Sequence, residues 1–173
     1  MGRAYWGMDR RRQRLAQALE ELGLWRAAEP AERDAQLDAI RQGAYPLDLA
    51  VFHDVCFAAD GDKLAEGGIE ALLQSMGPAL AEHGLRLKVR RHNGKTVIND
   101  LHCGHYSTAV DATVRPLSLV NSLLAQAGAT TRVYTLYTGG PQGLAYLLDP
   151  RIVYALRMSG LYDRRELPEL AAV

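Results

Sequence analysis

Two cysteines in 173 residues are too few for the disulfide framework that holds small secreted scaffolds together. No stretch approaches the roughly 18 to 20 consecutive apolar residues of a membrane-spanning helix. The opening MGRAYWGMDRRRQRL has no uninterrupted apolar run behind its basic residues, so it does not read as a cleavable export signal. Gly2 follows Met1, but the sixth residue is Trp6 and not a hydroxyl, which does not fit a myristoylation signal. These absences predict a soluble cytoplasmic protein with reduced thiols and no membrane partner. Net charge is missing as well: 20 basic and 20 acidic residues cancel, leaving no global field to recruit nucleic acid. There is no internal repeat, no low-complexity tract and no Gly/Pro/Ser-rich linker, and 48% hydrophobic residues suffice for one ordinary core.

Charge is nevertheless present in blocks. Between Pro46 and Gly84 stand seven acids (Asp48, Asp54, Asp60, Asp62, Glu66, Glu70, Glu82) against the single base Lys63. From Leu85 to Arg132 the balance reverses, with seven bases against Asp100 and Asp111. The pattern predicts a dipolar molecule.

Periodicity supplies the elements. Leu15, Ala18, Leu19 and Leu22 fall at helical spacing within Arg10 to Leu24, and Gly23 is a C-terminal stop. Pro30 with acids in the first turn opens a second helix that Gly43 closes, so residues 1–44 read as a helical hairpin appended to a core domain of residues 45–173. Leu47 to Phe57 alternates with period two and predicts a strand. Ile69, Leu72, Leu73, Met76 and Leu80 form a helical stripe ending at Gly84. Leu85, Leu87 and Val89 alternate with Arg86, Lys88 and Arg90. Asn93-Gly94 then predicts a tight hairpin into a strand over Thr96 to His102, with a polar stretch from Cys103 to Asp111 behind it. Leu117, Val120, Leu123 and Leu124 mark another helix, stopped near Gly128. Thr131 to Tyr162 reads as strand, glycine turn, strand over Leu144 to Leu148, and a helix opened by Asp149-Pro150. Strand pairs on short turns with helices between them predict an α+β fold, an antiparallel-rich sheet covered by helices. A doubly wound α/β arrangement is the alternative, but no glycine fingerprint lies between a strand and a helix.

The residues that carry chemistry are few. His53, Cys56, His102, Cys103 and His105 could supply nitrogen and sulfur ligands to zinc, yet on a strand His53 and Cys56 face opposite ways, and the knuckle spacings of structural zinc sites are absent. Cys56 or Cys103 beside a histidine, with Asp54 or Asp100 orienting it, would be the parts of a thiol hydrolase, which needs contact across the fold. Buried core cysteines and hydrogen-bonded histidines are the plainer reading. The turn Gly139-Gly140-Pro141-Gln142-Gly143 leads into an apolar strand and not into a helix, so it reads as a hairpin connection and not as a phosphate loop. Arg10, Arg11, Arg12 and Arg14 share their helix with Glu20 and Glu21, which fits a solvated face better than a nucleic-acid contact. Asp60-Gly61-Asp62 and Glu66-Gly67-Gly68 lack the ligand spacing of an EF-hand. An acidic surface of this kind can instead steer a basic partner.

The basic strand from Leu85, the Asn-Gly hairpin, the Val-Asn-Ser-Leu-Leu helix (Val120 to Leu124), Arg132-Val-Tyr-Thr-Leu-Tyr, the Gly-Gly turn and the Leu-Leu-Asp-Pro helix start occur in an order that resembles small bacterial α+β immunity proteins accompanying secreted polymorphic toxins. The similarity is one of layout over half to two-thirds of the chain, and it leaves the N-terminal hairpin outside. It implies a cytoplasmic protein that occludes a cognate toxin by direct contact, without a cofactor and without a shared catalytic motif. The expected contact residues are Asp54, Asp60, Asp62, Glu66 and Glu70. Two other classes compete with it: a zinc-binding protein or Cys/His hydrolase using His53, Cys56, His102, Cys103 and His105, and a homo-oligomer packed through the N-terminal helices.

Overall fold

The computed structural model describes residues 2–48 and 54–173. The fold is α+β, with two antiparallel sheets. In chain order the elements are α1 (Gly2–Glu21), α2 (Pro30–Arg41), β1 (Cys56–Ala58), a single helical turn α3 (Gly61–Lys63), α4 (Ile69–Glu82), β2 (Val89–His92), β3 (Lys95–Ile98), β4 (Leu101–Cys103), α5 (Ala109–Gln126), β5 (Arg132–Leu136), β6 (Leu144–Leu148), α6 (Pro150–Ser159) and β7 (Glu169–Leu170). The chain divides into two compact units, one made of Met1–His53 and Pro150–Leu167, the other of Asp54–Asp149 and Pro168–Val173.

In the first unit α1 packs on α2 and on α6. Leu15, Ala16 and Leu19 of α1, Leu37 and Ile40 of α2, and Ile152, Val153 and Leu156 of α6 are all buried. The hairpin over residues 1–44 is therefore joined by a third helix from far along the chain. Pro150 at the start of α6 needs no amide partner there, which suits a first helical turn. Tyr45 and Tyr162 meet edge to face with ring centroids 5.0 Å apart. Burial is the main cause that pushes the Tyr162 phenol up to about 12.

The second unit holds both sheets. One runs β1-β6-β5-β7, with β5 and β6 forming the hairpin expected from Thr131 to Leu148, and the other is the meander β2-β3-β4. Helices α4 and α5 cover them through a core containing Leu73, Met76, Leu80, Ile98, Leu117, Leu124, Val133 and Leu147. A Cβ at Gly61 would come within 2.7 Å of the Gly139 backbone, so this close approach requires glycine.

Two expectations are corrected. The strand anticipated over Leu47 to Phe57 begins only at Cys56, because Pro46–Asp48 form a 3-10 turn; residues 49–53 lie outside the described residues. The strand over Thr96 to His102 breaks after Ile98, where Asn99 and Asp100 both take positive φ (46° and 68°). Two turns of this kind, at Asn93-Gly94 and Asn99-Asp100, match the twist of the strands they join and fold the meander tightly. The polar stretch Cys103 to Asp111 ends in the first turn of α5, where the Thr108 hydroxyl accepts from the Asp111 amide at 3.1 Å.

Candidate functional site

The acidic segment follows β1 in the second unit. Asp60 does not present its charge freely: it caps α3, accepting from the Asp62 and Lys63 amides at 3.1 and 3.3 Å, and its carboxylate lies 3.6 Å from Lys63 Nζ. Asp54, Asp62 and Glu66 are exposed. Glu70 is partly buried and accepts from Gln74 Nε2 at 3.2 Å. Between α3 and α4 the helical path over Leu64–Gly68 is kinked at Gly67, which leaves the helical region with φ 113°. Gly67 suits the position because any other residue would be strained at that φ and its Cβ would lie 3.0 Å from Arg91 Nη2.

The meander stands opposite this turn. Its register places Arg90, His92, Lys95, Val97 and His102 on one face, and Val89, Arg91, Thr96, Ile98, Leu101 and Cys103 on the other. The first face is cationic, and its His92 and His102 rings lie 6.5 Å apart. From the second face Arg91 and Thr96 reach a small cleft that they line with Glu66, Gly94, His105 and Tyr106. Its volume of about 80 Å³ is far below the roughly 300 to 1,000 Å³ of clefts that enclose whole small molecules. It has room for one side-chain head group. A guanidinium, a hydroxyl, a phenol and an imidazole converge there with one carboxylate, so it can hold a polar or charged anchor by several directed hydrogen bonds.

Cys103 lies at the edge of this arrangement. Burial pushes its thiol up from the ordinary value, and a hydrogen bond with Tyr106 only partly offsets that. Tyr106 is in turn pushed up to about 12, chiefly by burial and next by the neighbouring thiol. A thiol shifted this way holds its proton at neutral pH, opposite to the thiolate a nucleophile needs.

The cysteine and histidine candidates are not gathered together. Cys56 lies opposite Tyr146 in the first sheet, and Cys103 opposite Thr96 in the second. His102 and Cys103 point to opposite faces of β4, and His53 falls outside the described residues. Among the described residues no three His, Cys, Asp or Glu side chains are grouped so as to hold a metal ion. What the fold does bring together is Glu66, an expected partner contact, with His105, an expected ligand. Arg91, Thr96 and Tyr106 were not singled out from the sequence. Only the alternation around Arg90 and Arg91 pointed to a charged strand there. No protein-family model, curated protein or solved structure matches the chain, and no helix among the described residues is long and apolar enough to cross a membrane.

Proposed function

We propose that the chain is a binding protein, an immunity protein that neutralises a cognate bacterial toxin by direct contact. The observation that carries the reading is the exposed Glu66 in the lining of a cleft sized for one side chain, with the exposed Asp62 on the capped turn that precedes it. Acidic groups on a rigid turn steer a basic partner and set its register, while a small polar cleft accepts one of its anchors. Asp54 is a further exposed acid just before β1, Asp60 shapes the turn by capping it, and Glu70 is bonded to Gln74.

The test is to express the C-terminal domain of the protein encoded by the neighbouring gene and to measure its affinity for this chain by calorimetry. Charge reversal at Asp62→Lys with Glu66→Lys should weaken binding by more than about tenfold, about 1.4 kcal/mol. Unchanged affinity removes this surface from consideration. Arg91→Ala separates the cleft from the rim, since it leaves the acidic residues in place. About one zinc per chain in protein purified without a histidine tag would instead favour the metal-binding alternative built on Cys56, Cys103, His105 and His53.

A further inference from the structure

We propose that the groove between α1 and α6 is the seat of an amphipathic helix from a partner protein, one whose apolar face is flanked by acidic residues. The groove has a volume of about 610 Å³ and lies wholly within the first unit. Its floor is apolar, formed by Leu15 and Ala18 of α1 and by Ala155 of α6. Tyr154 and Met158, four residues apart on α6, are 64% and 63% exposed, so the walls of the groove face solvent. Large apolar side chains exposed around a trough mark interaction sites, and methionine adapts its shape to what it receives.

Charge selects the occupant. Arg11 and Arg14 stand on the α1 rim, both exposed, and Arg151 lines the groove from α6; the single acid in the lining, Glu21, lies further along α1 and accepts from Gln17 Nε2 at 2.9 Å. Apolar residues at helical spacing would fill the floor, and carboxylates on the flanks would meet these guanidiniums, the pattern of helix-in-groove recognition. A second copy fits less well, because each copy brings three arginines and only the single acid Glu21 to this face. A small amphiphile fits poorly too, since such ligands bury most of their surface and these walls leave theirs open.

The probe is a labelled synthetic helix with leucines along one face and glutamates flanking it, compared with the same helix carrying lysines, by fluorescence polarisation at low and high salt. The acidic helix should bind at least about tenfold more tightly than the basic one, and Arg11→Glu with Arg14→Glu should reverse that order, by complementarity of charge. Met158→Asp should weaken both while leaving the circular dichroism unchanged. Equal binding of the two helices, or no binding of either, overturns the proposal. So does a dimer in light scattering that Met158→Asp dissolves, or saturable oleate binding that excludes the acidic helix.

Discussion

Replacing Asn121 by leucine should cost the second unit several kcal/mol while keeping the number of side-chain heavy atoms and the branch at Cγ. Asn121 sits in the middle of α5, is only 8% exposed, and uses its whole amide as a clamp. Its Oδ1 accepts from the Val133 amide at 2.7 Å, and its Nδ2 donates to the Val133 and Ala171 carbonyls, both at 2.9 Å. It thereby ties α5 to β5 and to the residue after β7. The Val133 carbonyl keeps a second donor, the Ala171 amide at 3.1 Å, so leucine would orphan two groups, the Val133 amide and the Ala171 carbonyl. Each buried group left unpaired costs about 1 to 3 kcal/mol, which gives about 2 to 6 kcal/mol in all. At an m-value of about 2 kcal/mol/M this lowers the urea midpoint by about 1 to 3 M. Trp6 and Trp25 both belong to the first unit, so tryptophan fluorescence would follow that unit, and hydrogen exchange at Val133 is the direct readout. A midpoint shift below about 0.5 M, with the Val133 amide as protected as before, would refute the clamp.

Gly61→Ala should destabilise the same unit by at least about 1 to 3 kcal/mol, because the new Cβ meets the backbone of Gly139 and no rotamer can relieve it; thermal melts that match the parent would contradict this. Asp100→Gly should raise stability by about 0.5 to 1 kcal/mol, since the φ of 68° suits glycine and the exposed ion pair with Arg90 is worth little; a loss in urea melts would show that the ion pair matters more. Stability should also fall in alkali. The folded values of Cys103 and Tyr106 lie above their ordinary ones, so the unfolded chain loses these protons first. Their contribution is complete below the ordinary cysteine range, declines above it, and for the phenol is lost as pH rises from its ordinary 10.0 to about 12. Urea midpoints rising between pH 8 and 11 would overturn that sign.

Local chemistry was the legible part of this fold. Asn93-Gly94 foretold a two-residue turn with positive φ at both positions, and Gly139 takes the φ of 82° expected in its connection. Asp149-Pro150 marked the start of α6 correctly. Asn99-Asp100 escaped notice because Val97, Ile98 and Leu101 make the segment look like one apolar strand, although both turn residues tolerate left-handed φ. The start of α5 was hidden in a polar stretch whose Thr108 and Asp111 are a cap and not a loop. The packing of α6 on α1 left no trace in periodicity, which reports that a face is buried but not against what. The site divides the same way. Glu66 and His105 are visible in the sequence as reactive residue types, whereas their meeting at one cleft depends on the kink at Gly67 and on the register of the meander.

The interleaving of the two units along the chain has an entropic consequence. If the first unit melts, the second need only span Pro150–Leu167 as a loop between β6 and its last strand. If the second melts, the first must keep its ends together across Asp54–Asp149, a loop about five times longer, at an added closure cost of roughly 1.5 kcal/mol. The chain's connectivity thus ranks the units before any contact is counted. The sheet-bearing unit can outlast the helical one more cheaply than the reverse, and the groove between α1 and α6 belongs to the part that is first to loosen.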